Sequence, residues 1–208
     1  NMKKLITLLL VLVTLNSYSQ SKREVYDYYE EITHYTECCG RKKPCKFEKD
    51  VKIYVDGVKK PYLITELNKI VGELNDLIES INISIVNDSS ESNVYLFFGN
   101  ADDFADNLND SDRWKKHIRK RAKKCNGLFV ITTNYNKDYI KHSEVFIDLE
   151  AGNSINKEKH TLREEITQCL GLTNDSYKYD DSIFYQLNNE VTKYSKIDKK
   201  IIKLFYNE

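Results

Sequence analysis

The chain has 208 residues, with 32 lysines and arginines against 32 aspartates and glutamates, 40% hydrophobic residues, 7 glycines and 2 prolines. A balanced charge gives no net field to hold nucleic acid or a membrane surface, and so few prolines and glycines leave no linker to divide the chain. Length and hydrophobic content fit one domain with a sizeable core, and no internal repeat breaks it.

Met2, Lys3 and Lys4 precede an apolar run at 5–15 that is too short to span a bilayer, the pattern of a signal peptide. Ser17 and Ser19 offer the small residues a signal peptidase reads, so cleavage is expected after Ser19, leaving a single domain over 20–208. Loss of Lys3 and Lys4 turns 32 basic against 32 acidic residues into 30 against 32, a net charge of −2. The expectation is an exported protein, periplasmic or extracellular, with no later membrane span and no nucleic-acid partner. Cys38, Cys39, Cys45, Cys125 and Cys169 all survive cleavage. Export favours disulfides, and an odd number leaves at least one thiol. Cys169 is the candidate thiol because it sits on an apolar stripe, and a bond from one of Cys38, Cys39 and Cys45 to Cys125 is expected.

Tyrosines and acids at 21–35, with Val25, Tyr28, Tyr29 and Ile32 in helical spacing, predict a short helix. The alternation over 51–55 predicts a strand that turns at Asp56-Gly57. Leu63, Leu67, Ile70, Val71, Leu74, Leu77 and Ile78 form the stripe of a helix over 62–79. Strands are expected at 81–85 and 94–98, the second apolar enough to be central. An acidic stretch over 100–112 runs into a basic block over 113–124, in which eight of twelve residues are lysine or arginine. An anionic partner is one reading of that block. A solvated helix anchored by Trp114, Ile118 and Ala122 is preferred, because no aromatic or glycine pattern of a base-reading module accompanies it. Strands follow at 128–133 and 144–149.

The next stretch carries the chemistry. Leu162, Ile166, Cys169 and Leu170 form one apolar stripe, while Thr161, Glu164, Glu165 and Gln168 share another flank. Gly171 supplies the positive φ that stops such a helix, and Asn174 and Asp175 lie just beyond. A last helix begins at Ser195 with Asp198 three residues on, a capping box, and is expected to bury Ile197, Ile201, Leu204 and Phe205.

The run Glu164-Glu165-x-x-Gln168-x-Leu170-Gly171-Leu172-x-Asn174-Asp175 resembles the zinc motif of the metzincin peptidases, H-E-x-x-H-x-x-G-x-x-H. Glu164, Gln168 and Asn174 stand where the three histidine ligands would be, and Glu165 stands at the general-base position. Ser182-Ile183-Phe184 resembles the Met-turn with phenylalanine for methionine, and Asp198, Ile202, Leu204 and Tyr206 resemble the late helix of the matrix-metalloprotease type. The chain is also similar to secreted bacterial domains of unknown function that carry this glutamate and glutamine version. The resemblance implies an α+β, zincin/metzincin-like fold: a mixed twisted sheet, two long helices, and an irregular C-terminal subdomain ending in a helix. It implies supporting roles for Gly171, Asp175, Phe184 and Tyr206.

Zinc prefers imidazole and thiolate, and amide oxygen is a poor ligand, so one carboxylate and two amides predict no metal and no cofactor. His160 falls on the outer flank of the helical wheel and does not restore a ligand. Without a metal, Glu165 has no activated water to deprotonate. Three readings remain. The favoured one is a non-catalytic zincin-like domain whose polar cluster ties the helix to the C-terminal segment and whose cleft binds a protein or peptide partner. The second is a metallopeptidase-related hydrolase with altered ligands or carboxylate chemistry at Glu164, Glu165 and Asp175, with zinc only in that case. The third is a toxin, inhibitor or adhesin that shares the fold.

Overall fold

A computed structural model describes residues 20–34, 44–134, 139–188 and 190–207. The expected signal peptide, Cys38 and Cys39 lie outside these residues. The elements in order are α1 (Lys22–His34), β1 (Val51–Gly57), α2 (Pro61–Leu77), β2 (Ile83–Val86), β3 (Val94–Gly99), α3 (Ala101–Asn107), α4 (Asp112–Ala122), β4 (Gly127–Thr133), β5 (Ile140–Asp148), α5 (Ile155–Gln168) and α6 (Lys196–Asn207).

Five strands form one mixed sheet in the order β2-β1-β3-β5-β4. β1 pairs in parallel with β2 and β3, and β3 with β5. Only β4 runs antiparallel, with Leu128 opposite Phe146. β3 is central as its apolar run predicts: Val94, Leu96, Phe97 and Phe98 are all buried. β5 begins four residues earlier than expected, because Lys141, His142 and Glu144 make its first half too polar to read as a strand, yet it pairs with β4 from Ile140 onward.

Both faces of the sheet are covered. On one face α2, α5, α6 and α1 share a core with β1, β3 and β5, built from residues such as Leu63, Leu67, Ile70, Leu74, Leu162, Ile166 and Phe205. Each such side chain removed from water contributes about 1.5–3 kcal/mol. Pro61 opens α2 at the one helical position where a missing N–H costs nothing. On the other face α3 and α4 enclose Phe97, Phe104, Leu128, Val130 and Phe146, with the Phe104 and Phe146 rings stacked 5.0 Å apart.

Within the acidic stretch, Ala101–Asn107 form helix α3. Asn100 Oδ1 accepts the Asp102 and Asp103 N–H groups, and the two aspartates sit in the first turn, where the helix dipole favours negative charge. Its acids neutralise the basic helix directly: Arg119 and Lys123 pair with Asp102, and Arg119 also with Asp106. Ile118 and Ala122 anchor α4, whereas Trp114 is exposed and stacks on His117. The expected bond to Cys125 does not form: its thiol donates to the Arg121 and Ala122 carbonyls.

α6 starts with the reciprocal capping box, Ser195 N–H to Asp198 Oδ2 at 2.9 Å and Asp198 N–H to Ser195 Oγ at 3.3 Å. Its buried face is Ile197, Asp198, Ile201, Ile202, Phe205 and Tyr206, while Leu204 is only half-buried. The face is turned because Tyr206 must reach inward, where its hydroxyl donates to the Leu170 carbonyl at 2.7 Å.

A cleft at the antiparallel edge of the sheet

α5 starts at a Ser154 cap, whose Oγ accepts the Lys157 N–H, and stops through Gly171, whose N–H donates to the Gln168 carbonyl. Gly171 has φ +118°, and a Cβ there would lie 2.3 Å from the Cys45 carbonyl oxygen. No other residue fits that turn without displacing backbone. Leu162, Ile166, Cys169 and Leu170 face the core as the stripe predicts. Ser143 on β5 donates through Oγ to the Cys169 carbonyl at 3.2 Å, which fixes the end of α5 to the sheet.

The three positions that align with metzincin ligands take separate partners. Glu164 Oε2 lies 3.3 Å from His160 Nε2. Gln168 Nε2 donates to Asp175 Oδ1 at 2.8 Å. Asn174 Nδ2 donates to the Glu31 carbonyl at 2.7 Å, and its own N–H to the Ile32 carbonyl, so it fastens α1 and not α5. The expected mutual cluster of Glu164, Gln168 and Asn174 is thus replaced by three pairs, of which only Gln168–Asp175 ties α5 to the segment after it. His160 is buried rather than on the outer flank, because the segment at Val191 crosses over it and its carbonyl accepts the Nδ1 proton at 2.9 Å.

Phe184 is buried in the main core, and its carbonyl accepts the Ser176 N–H at 2.8 Å beside Asp175. Ser182 of the same turn donates to Asp198 Oδ1 at 2.6 Å and shares a hydrogen bond with the Tyr28 hydroxyl at 2.8 Å. Asp198 thereby joins the turn, α6 and α1.

Glu165 is the unusual side chain. It is 8% exposed, and its Oε2 has no hydrogen-bond partner among the described residues. It packs against Gly127, where an added Cβ would fall 2.5 Å from Oε1. Burial pushes its pKa well above the ordinary carboxylate value, Glu164 and Asp175 push the same way, and Arg121 opposes them. A carboxyl raised on folding contributes stability that is fully present at acid pH and is lost as pH rises through the folded-state value. Glu165→Gln is therefore expected to remove part of the alkaline decline, a slope of up to about 1.4 kcal/mol per pH unit. Urea denaturation of both proteins between pH 5 and 9 checks this; parallel stability curves would contradict it.

Glu165, Gln168, Asn174 and Asp175 line a cleft of about 630 Å³ together with Gly127, Leu128 and Phe129 of β4 and with Arg121, Lys124, Cys125, Glu31, Tyr177 and Gln186. A smaller recess of about 260 Å³ continues toward His160 and Glu164. The Cys125 thiol is pushed up to about 11 by burial and by Glu165, so it stays protonated at neutral pH.

The sequence reading missed one residue of weight. Arg163 is wholly buried, donates to Glu66 at 2.6 Å and to Glu73, both on α2, and lies 4.6 Å from the Tyr194 ring centre. Its partners lie 97 and 90 residues away, so nothing local signals the contact.

The fold is an α+β domain with a mixed five-stranded sheet and the polar helix α5 packed on its antiparallel strand pair. The family profile described as "Protein of unknown function (DUF2927)" matches residues 22–208, and the chain belongs to that family. Among solved structures, "Crystal structure of myroilysin" is similar at a TM-score of 0.47 and 9% identity, covering 78% of this chain and 85% of that one. "Structure of Myroilysin" is similar at 0.44 and 11%, covering 77% and 80%. No curated protein matches the chain.

Proposed function

We propose that this chain is an exported, zincin-like binding domain that takes an extended peptide segment in the cleft beside β4 and performs no zinc-dependent hydrolysis. The observation that carries this reading is the division of Glu164, Gln168 and Asn174 among three separate partners. Zinc would have to draw a carboxylate away from His160 and two amides away from Asp175 and a backbone carbonyl, and amide oxygen returns little for that. The residues present do not fit the ion.

The peptide part of the reading rests on β4. It is the last strand of the sheet, and no strand covers its outer edge among the described residues. The Asp148 N–H donates to the Asn126 carbonyl at 2.8 Å. Hydrogen-bonded pairs in an antiparallel ribbon alternate, so Leu128 also faces β5, and the N–H and C=O groups of Gly127 and Phe129 face the cleft. An extended chain laid there would complete the sheet and pass over Glu165.

Purified protein is expected to hold well under one equivalent of zinc, and a chelator should leave its melting temperature unchanged, since no bound-state free energy is withdrawn. Stoichiometric zinc that survives dialysis would overturn the reading. One observation favours a second: Glu165, with an unpartnered oxygen in the cleft and Asp175 nearby, resembles half of an acid–base pair. Peptide cleavage that disappears in Glu165→Gln would support that carboxylate chemistry instead.

A further inference from the structure

We propose that the cleft and its recess receive a cationic side chain of the bound peptide, carried by the residue that pairs opposite Gly127 and held by Glu165 with Glu164 and Asp175 around it. This deepens the peptide-binding reading and rests on it.

Glu165 lines both the cleft and the recess, as do Gly127, Gln168 and Asp175. It is more than nine-tenths buried, and no group among the described residues satisfies its Oε2. A buried polar atom without a partner is a standing cost that a ligand hydrogen bond relieves. The charge around it is mainly negative. In the recess Glu164, Glu165 and Asp175 stand against Lys157, and in the larger cleft Glu31, Glu165 and Asp175 stand against Arg121 and Lys124. His160, also in the recess, meets the Val191 carbonyl through Nδ1 and Glu164 through Nε2. Burial raises the Glu165 pKa most, Glu164 and Asp175 raise it further, and Arg121, which already acts on this carboxyl, offsets only part of their effect. A ligand cation would relieve the repulsion that remains.

Gly127 selects the ligand residue that reaches Glu165. A Cβ on Gly127 would point toward α5, 2.4 Å from Thr161 Cγ2 and 2.5 Å from Glu165 Oε1, so the missing side chain is what lets Glu165 pack so near the strand. Residues paired across neighbouring strands extend to the same face, with Cβ atoms about 5 Å apart. The ligand residue opposite Gly127 therefore extends its side chain toward α5 beside Glu165, and the residues before and after it extend to the other face. An apolar side chain there would leave Oε2 without a partner, and a carboxylate would add one more acid to the recess. A lysine brings a flexible four-carbon stem and an ammonium with three donors, which supplies both the missing hydrogen bond and the opposite charge.

The test uses fluorescence anisotropy on the chain from residue 20, with fluorescein-labelled peptides of alternating Ser and Thr whose central residue is Lys, acetyl-lysine or Glu. Acetylation keeps the stem and removes the charge. The Lys peptide should bind about tenfold more tightly than the acetyl-lysine peptide at low salt, and the Glu peptide more weakly than either. Glu165→Gln should cut the lysine preference to about twofold or less. Asp175→Asn, which keeps the oxygen that accepts from Gln168, should reduce it in part. Glu91→Gln, at an exposed acid that lines neither cavity, should leave it intact. Equal affinity for the Lys and acetyl-lysine peptides overturns the cationic preference while the peptide reading stands. A preference that survives Glu165→Gln and Asp175→Asn, or falls equally in Glu91→Gln, overturns it as diffuse charge attraction. Failure of all three peptides to bind removes the peptide reading and this inference together. Cooperative melting of each variant shows that folded proteins are compared, and should Glu165→Gln fail to fold, Asp175→Asn decides alone.

Discussion

Arg163→Ala is expected to destabilise the protein by about 3–5 kcal/mol, the usual consequence of removing one partner from a buried ion cluster. The guanidinium holds Glu66, itself buried, and Glu73, so α5 is fastened to α2 through charge as well as through Leu162 and Ile166. Once Arg163 is gone, Glu66 keeps as its ion-pair partner among the described residues only Lys69 at 3.9 Å, a half-exposed side chain one turn along the same helix. Such a pair offsets little of the cost of a buried carboxylate. The cost comes from the orphaned acid more than from the lost attraction. Arg163→Met with Glu66→Leu should therefore recover most of the loss, because the interior then holds neither charge. Equilibrium urea unfolding of the single and double variants checks this. A double variant no more stable than Arg163→Ala would show that the arginine acts through its contact with Tyr194 instead.

Asp198→Ala is expected to cost about 2–4 kcal/mol. Its carboxylate accepts three hydrogen bonds, from the Ser182 hydroxyl and from the Ile183 and Ser195 N–H groups, and each donor left unpaired in the interior carries its own penalty. Burial raises its pKa, the hydrogen bonds pull the other way, and burial is the larger effect. Asp198→Asn should recover only part of the loss, since its amide nitrogen would face donors with a donor. Thermal unfolding of both variants measures the ranking, and an Asp198→Asn variant as stable as the original protein would refute it.

Much of this architecture could be read in the sequence. The parallel strands announce themselves because β1 and β3 are buried on the faces where Val51, Ile53, Val55, Val94 and Leu96 fall. α2, α5 and α6 carry clear stripes, and Gly171 marks its turn. What could not be read is where charge goes when it is buried. The helical wheel puts Glu164, Glu165 and Gln168 on one flank, but which partner each takes depends on residues 31, 160 and 175, brought together only by the fold. His160 shows the limit plainly: the wheel places it outside, and the loop at Val191 then covers it. Arg163 is the same case at longer range. The acidic helix α3 escapes a sequence reading for a different reason, that its seven residues depend on the Asn100 cap and on Phe104 packing more than on any stripe.

The first helix forms part of the cleft wall and also packs against the last one. Glu31 lines the cleft, the Tyr28 hydroxyl meets Ser182, and α1 packs on α6. Asn174 reaches Glu31 across 143 residues, and Tyr28 reaches Ser182 across 154. Synthesis from the N-terminus produces α1 well before Asn174, Ser182 and α6, so these contacts of the first helix wait for the later part of the chain. Contacts of such long sequence separation form late and slowly. The part of the cleft wall that α1 supplies is therefore set in place only after the turn at Ser182 and helix α6 have been made.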